Sequence, residues 1–214
     1  MELADLIFYI AEFTGTAAFA ISGAMTAIER KLDLFGILLL SIVTALGGGT
    51  IRDVLLGHVP PRMFDSYEYV LMAVLCGLAV FLVARYFRES YQKHRIRISN
   101  INNVFDAIGL GVFSVIGVQA AINSGFGQNW FFAITLGLIT GVGGGVLRDI
   151  MSQGLPAVLH KHIYAVAAIA GAVCYYALYR LGQNDKLAMG ISIVLTFVIR
   201  ILATRYEWSL PKAY

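Results

Sequence analysis

The sequence predicts an all-α polytopic membrane protein with seven transmembrane helices. Of its 214 residues, 58% are hydrophobic and only 14% are charged, and the mean hydropathy is +0.75. A soluble globular domain carries about 25% charged residues, so this composition excludes that class. The apolar residues form runs near the length that a helix needs to cross a bilayer. No polar stretch is long enough for a second domain, and we expect 1–214 to be a single membrane domain.

Seven apolar runs are the predicted spans, and short polar connections separate them. The first run follows a segment without the positive charge of a cleaved signal peptide, so we expect it to be retained as a helix. The longest polar stretch is Arg85 to Asn100. Within it, the run Arg88 to Arg97 is predicted to be a solvated cytoplasmic loop, with contact to anionic lipid as the alternative. In chain order the spans are Leu6–Ile28, Leu34–Leu56, Tyr69–Ala84, Val104–Ile122, Trp130–Met151, Ile163–Tyr179 and Leu187–Leu202.

Lys and Arg residues predict the orientation of the helices, because cytoplasmic loops carry an excess of them. Only Arg62, Arg180 and Lys186 fall in loops on one side. The larger group, on the other side, is Arg30, Lys31, Arg85, Arg88, Lys93, Arg95, Arg97, Lys161, Arg205 and Lys212. We therefore expect the N-terminus outside and the C-terminus in the cytoplasm. The short loops favour a prokaryotic inner membrane. Arg200, near the inner end of the last span, is expected to extend toward the membrane surface.

One motif occurs twice, in the second and the fifth spans. Gly47-Gly48-Gly49-Thr50-Ile51-Arg52-Asp53 returns as Gly143-Gly144-Gly145-Val146-Leu147-Arg148-Asp149. Each glycine costs about 1 kcal/mol relative to alanine inside a helix, so three in a row predict a break in helices 2 and 5. Irregular backbone at membrane depth must be buried in protein or line a water-filled cavity. An Arg-Asp pair after each run also indicates function, because charges inside a membrane are costly.

The repetition extends beyond the glycines and predicts two related halves. Glu12 corresponds to Asp106 and Pro60 to Pro156, each at an equivalent place in its half. Each half holds three spans, an odd number, so the second half must enter the membrane in the opposite orientation. We predict two inverted three-helix repeats, at about 5–88 and 101–180, and a seventh helix at about 187–204.

The broken helices would place functional groups near the middle of the membrane. Free carbonyls near Leu46–Gly48 and Val142–Gly144 could replace part of a cation's hydration shell, and Thr50 could cap the second half-helix. We hypothesise two crossed ion pairs, Arg52 with Asp149 and Arg148 with Asp53. These pairs would either line a pore or only hold the two halves of the protein together. Glu12 and Asp106 would attract cations or lie as solvated charges in a vestibule.

Other classes of function lack the residues that they need. No catalytic triad, phosphate-binding loop or paired catalytic carboxylate stands out, so we expect no enzyme and no cofactor. No group of His and Cys has metal-ligand spacing, and no metal site is predicted. The net charge of +3 is small and the basic residues lie in loops, which argues against a nucleic-acid partner.

With its seven spans, two halves and doubled Gly-Gly-Gly and Arg-Asp motif, the chain resembles the prokaryotic branch of the trimeric intracellular cation (TRIC) channel family. The resemblance implies a homotrimer in which each subunit has its own pore, kinked at Gly47–Gly49 and Gly143–Gly145. It also implies permeation by potassium or other monovalent cations. Animal members bind a phosphoinositide at a Lys-Glu-Val sequence after the first glycines, where this chain has Thr50-Ile51-Arg52-Asp53. A membrane lipid is therefore a partner to consider.

Two other functions stay open at this point. Bacterial relatives of this type are assigned as glycine transporters, and a carrier of glycine or another small neutral amino acid fits the charges. Arg52 and Arg148 could hold a carboxylate, while Asp53, Asp149 or Glu12 held an ammonium group. A non-conducting membrane scaffold packed through its glycines is the third possibility, and it predicts no flux.

Overall fold

The computed structural model describes residues 3–160 and 163–208, and within these ranges every regular element is helical. The helices are α1 (Leu3–Glu29), α2 (Leu34–Leu55), α3 (Tyr67–Tyr86), α4 (Arg88–Lys93), α5 (Arg95–Ala121), α6 (Trp130–Met151), α7 (Ala157–His160), α8 (Tyr164–Arg180) and α9 (Asp185–Arg205). A 3₁₀ turn, Arg62–Phe64, lies before α3, and a π-helical turn, Ile122–Phe126, extends α5. Lys161 and Lys212, two of the basic residues that predict the orientation, lie outside the described residues.

Six of the described helices are long and apolar enough to cross a membrane, by length and composition. They cover Leu6–Glu29, Leu34–Leu55, Tyr67–Tyr86, Ile96–Phe126, Trp130–Met151 and Asp185–Arg205. The prediction of an all-helical, multi-pass membrane protein is confirmed. The remaining predicted span corresponds to α8, which has 17 residues.

The long polar connection is the first point at which the sequence prediction is wrong. Most of Arg85 to Asn100 is helical, since α3 continues to Tyr86, α4 occupies Arg88–Lys93 and α5 already begins at Arg95. A helix of the length of α5 spans about 40 Å at 1.5 Å per residue, which exceeds the roughly 30 Å thickness of the hydrocarbon core. Its polar first turns therefore extend beyond the apolar layer, where water can solvate them.

The predicted breaks at the glycines are also wrong. Both α2 and α6 are uninterrupted, through Gly47–Gly49 and through Gly143–Gly145 respectively. A bilayer offers the backbone no alternative hydrogen-bond partners, so opening the helix would cost more than the poor helix propensity of glycine. Close packing between the two helices, described below, explains why these positions lack side chains.

Helix α5 lies at the centre of the bundle. In the most apolar 18-residue segment of this span, 72% of the residues are buried, more than in any other described span. It contacts α1, α6, α8 and α9, while α3 packs only on α1, α2 and the short elements next to it. The core around α5 contains Phe19 of α1 together with Leu110 and Phe113 of α5 itself. This arrangement places the polar residues of α5 inside the protein.

Candidate functional site

Helices α2 and α6 cross at their middle glycines. A β-carbon on Gly48 would clash with the carbonyl oxygen of Thr140, and one on Gly144 would clash with the carbonyl oxygen of Thr44. The neighbouring contact, Gly47 with Leu147, shows that the two helices run in opposite directions through the crossing. Only glycine lets two helix backbones approach this closely.

The third glycine of each run lies beside an arginine of the same helix. A β-carbon on Gly49 would lie 3.6 Å from Nη2 of Arg52, and one on Gly145 would lie 3.7 Å from Nη2 of Arg148. Each guanidinium thus folds back over the glycine one turn earlier. The glycine runs therefore serve helix packing and provide no free carbonyls.

The first cluster of charges surrounds Arg52, whose side chain is buried. Its Nε donates to Oδ1 of Asp53 at 2.8 Å, and its Nη2 lies 2.8 Å from the same oxygen in an ion pair. Its Nη1 lies 4.0 Å from Oε1 of Glu12 and has no hydrogen-bond acceptor among the described residues. Tyr69 of α3 donates to Oε2 of the same glutamate at 3.2 Å. Oδ2 of Asp53 accepts the backbone N–H of Arg62 at 3.0 Å, so Asp53 also holds the segment that follows α2.

The second cluster, around Arg148, has a similar arrangement with tighter contacts. Nε of Arg148 donates to Oδ1 of Asp149 at 2.9 Å, and Nη1 donates to Oδ1 of Asp106 at 2.6 Å and to the hydroxyl of Ser22 at 2.7 Å. Oδ2 of Asp149 accepts the backbone N–H of Ala157 at 2.7 Å. All three charged side chains are nearly inaccessible to solvent, so each charge depends on these partners.

The hypothesis of crossed pairs is wrong, because each arginine pairs with the aspartate next to it. Successive side chains point about 100° apart on a helix, but the arginine side chain is long enough to fold back to its neighbour. Glu12 and Asp106, the predicted counterparts, do occupy equivalent places: each faces the arginine of its own cluster. Asp106 is buried in an ion pair, so the prediction of a solvated vestibule charge does not hold for it.

A polar cavity adjoins each cluster. The Arg52 cavity, of about 120 Å³, is lined by residues that include Glu12, Thr50, Asp53, Arg62 and Tyr69. The hydroxyl of Thr50 donates to the carbonyl of Leu46 within its own helix at 2.9 Å and caps no helix terminus.

The cavity at the second cluster is larger. The Arg148 cavity, of about 380 Å³, is lined by residues that include Thr26, Glu29, Asp106, Asp149 and Arg200. It shares no lining residue with the Arg52 cavity.

The two cavities lie at different depths along α1. Glu12 lines the first, whereas Thr26 and Glu29 line the second. Ser22, which contacts Arg148, follows Glu12 by ten residues, or about 15 Å of helix. Between them Phe19 stacks on Phe113, with ring centroids 5.4 Å apart. The structure thus holds two polar cavities on opposite sides of a layer of aromatic rings and close-packed helix backbone.

Several residues of this region were not predicted from the sequence. Arg200 does not extend to the membrane surface; it is 2% exposed, and its guanidinium lies 4.7 Å from the ring centre of Tyr164. Thr44 and Thr140 supply the carbonyls at the crossing, and their equal spacing before the two glycine runs could have identified them. No such signal marks Tyr69, Tyr164 or Arg200, whose partners are distant in sequence. Within the described residues, no group of His, Cys, Asp or Glu could hold a metal ion.

Comparison with protein families gives one match that covers most of the chain. A family model described as "Glycine transporter" matches residues 9–85 and 103–180. The UPF0126 inner membrane protein YadS of Escherichia coli strain K12 is 36% identical over 207 residues, which cover 96% of this chain and 96% of the relative.

Two solved structures of cation channels are similar over nearly their full length. The first, from work on conductance through TRIC cation channels, is 37% identical, with a TM-score of 0.83 and coverage of 97% of each chain. The second is the TRIC trimeric intracellular cation channel orthologue from Rhodobacter sphaeroides. It is 31% identical, with a TM-score of 0.84, and the match covers 94% of this chain and 98% of that one.

Proposed function

The chain belongs to the prokaryotic TRIC channel family, whose members include the proteins described as glycine transporters, and on that premise we propose that it is a channel for monovalent cations, chiefly potassium. The observation that carries this proposal is the pair of polar cavities that approach the α2–α6 crossing from opposite sides. An ion that passes from one to the other would cross the layer around Phe19, Phe113 and the glycine crossing.

The charges in the cavities are compatible with cation conduction. Arg52 and Arg148 would repel a cation if they were unpaired, but each is held by carboxylates at 2.6–4.0 Å. The Glu12 carboxylate is partly exposed to the Arg52 cavity and can attract cations there. The proposed path therefore runs past the hydroxyl and carboxylate groups of α1 and α2, with the guanidinium groups neutralised beside it.

We further propose that the chain has seven spans in two inverted repeats, with one pore per subunit of a homotrimer. The opposite directions of α2 and α6 at their crossing support the inversion, as do the equivalent contacts of Glu12 with Arg52 and of Asp106 with Arg148. The family model matches two segments of nearly equal length, 9–85 and 103–180, which supports the repeats. With α8 as a seventh span, the N-terminus lies outside and the C-terminus in the cytoplasm of a prokaryotic inner membrane.

Secondary transport of glycine or another small neutral amino acid is the second candidate. The family description supports it, and so does the free Nη1 of Arg52, which could donate to a carboxylate while Glu12 held an ammonium group.

Current measurement on the purified protein in planar bilayers separates these functions. Under a potassium chloride gradient, we expect discrete openings that reverse near the potassium potential and do not require glycine. Glu12→Gln should shift the reversal potential toward that of chloride, because it removes the carboxylate of the Arg52 cavity. Asp65→Asn, at an exposed acid outside that cavity, is the matched control and should leave the potential unchanged. Silent bilayers together with saturable glycine uptake into liposomes would reject the channel in favour of the transporter.

A further inference from the structure

A groove runs along α1 between α3 and α5. Both of these helices pack on α1, but they make no contact with each other. Two cavities follow this groove: one of about 940 Å³ at the C-terminal end of α1, and one of about 330 Å³ deeper in the apolar layer. We call the two together the lateral groove. The lining residues on α1 and just after it run from Phe13 to Leu32. They cover a length of about 28 Å, close to the thickness of the hydrocarbon core of a bilayer.

The deep part of the lateral groove is apolar. Its lining includes Phe13, Ala17 and Ile21 of α1, Met72 of α3 and Ile108 of α5, and no charged residue. The outer part keeps apolar walls, among them Met25, Ile28, Ile37 and Phe81, and adds polar groups at the helix ends. An apolar channel with a polar end has the shape of a phospholipid site, in which an acyl chain lies along the helices and the headgroup lies at the boundary.

The polar end carries hydrogen-bond donors and two basic side chains. Lys31 and Arg85 both line it and are exposed, and Glu29 is the acid beside them. The hydroxyl of Tyr91, on the short helix α4, also borders this end; it is buried and has no hydrogen-bond partner among the described residues. A phosphate would supply the missing acceptor for Tyr91 and a counter-charge for the two basic groups.

The backbone at Lys31 determines which substitution can test its charge. Lys31 has φ +59°, in the left-handed region that favours glycine. The helix end is otherwise well formed, because Lys31 N–H donates to Ile28 and Leu32 N–H donates to Ala27, both at 3.0 Å. Glycine can therefore replace Lys31 without backbone strain.

We propose that the lateral groove binds one anionic phospholipid, with its phosphate at Lys31, Arg85 and Tyr91 and an acyl chain along α1 between α3 and α5. On the proposed orientation this end faces the cytoplasmic leaflet, where anionic lipids are enriched. Glu29, Ser99 and Asn102 line both the lateral groove and the Arg148 cavity. The headgroup therefore lies next to the inner entrance of the proposed pore.

Native mass spectrometry of the purified protein with added phosphatidylglycerol or phosphatidylcholine tests this site. We expect one phosphatidylglycerol to be retained more strongly than phosphatidylcholine. Lys31→Gly suits the test, because glycine fits the left-handed backbone and the protein should stay as stable as the parent. It should weaken phosphatidylglycerol retention about fivefold, as expected for loss of about 1 kcal/mol from one basic group near a membrane surface. Arg85→Gln should have a similar effect, and Lys186→Gln, at the far side of the bundle, should have none.

Two outcomes would overturn the proposal. Equal retention by the parent and by a stable Lys31→Gly variant would show that the charge is not used. A Ser99→Cys variant provides the second outcome. If its added thiol cannot be labelled in lipid-free detergent, and adding phosphatidylglycerol changes nothing, a second copy of the chain covers the groove. Because these measurements report lipid binding and not ion flux, their failure would leave the proposed channel function standing.

Discussion

Phe19 of α1 and Phe113 of α5 stack with 25° between their ring planes, and both are almost completely buried. The Phe19 ring lies directly against Gly109, where a β-carbon would clash with it. The pair separates the levels of the two arginine clusters along α1. In the proposed pore these rings therefore form part of the barrier between the two cavities.

Replacement of Phe19 by leucine should lower that barrier. Leucine keeps the site apolar but removes the ring surface that Phe113 covers, so we expect potassium conductance to rise by about threefold or more. Single-channel recording in planar bilayers measures the effect. Phe35→Leu is the matched control, because Phe35 is 72% exposed and lies away from both cavities. A conductance equal to that of the parent would place the barrier elsewhere.

Gly48→Ala should destabilise the protein, although alanine is the better helix former. The added methyl would clash with the carbonyl of Thr140 and force α2 away from α6, at a cost of about 1–3 kcal/mol. At Gly190 of α9, where no atom lies within 4 Å of the added carbon, the same change should stabilise by up to about 1 kcal/mol. Thermal unfolding in detergent compares the two variants. A rise in the unfolding temperature for both would show that the helices do not meet at Gly48.

Arg148→Gln should be among the most damaging single changes in the chain. It leaves the buried carboxylates of Asp106 and Asp149 without their counter-charge, and loss of one partner of a buried pair costs about 3–5 kcal/mol. Adding Asp106→Asn removes one of the two excess charges and should recover part of that loss. The yield of folded protein and the unfolding temperature report both effects. If the double variant is no more stable than the single one, the contact at 2.6 Å between Arg148 and Asp106 does not contribute as described.

Asp149→Ala should loosen the segment that follows α6. The backbone N–H of Ala157 donates to Oδ2 of Asp149 at 2.7 Å, and a buried donor left unsatisfied costs about 1–3 kcal/mol. Hydrogen–deuterium exchange at the amide of Ala157 should accelerate by about tenfold or more. Asp65→Ala, in an exposed turn, is the control and should leave that amide protected. Unchanged exchange in Asp149→Ala would mean that other contacts hold the segment.

Much of the fold was accessible from the sequence because a bilayer imposes simple requirements. The apolar runs had to be helices, since lipid cannot satisfy backbone polar groups, and six of them meet the requirements for a span. The polar stretch from Arg85 was misjudged because nothing in its composition shows that α5 continues past the apolar layer into water. The doubled motif is enough to identify Gly48, Arg52, Gly144 and Arg148 as residues of the candidate site.

What those residues do depended on contacts between distant segments. By propensity alone three glycines predict a break, and only the approach of Gly48 to Thr140 shows that they let two continuous helices cross. Arg52 pairs with its neighbour Asp53, and Glu12, which accepts from Tyr69 of another helix, lies on its far side. The sequence by itself determined the class of protein, most of its helices and the residues of the site. The tertiary structure decided how the buried charges pair, because each charge takes the partners that packing brings within reach.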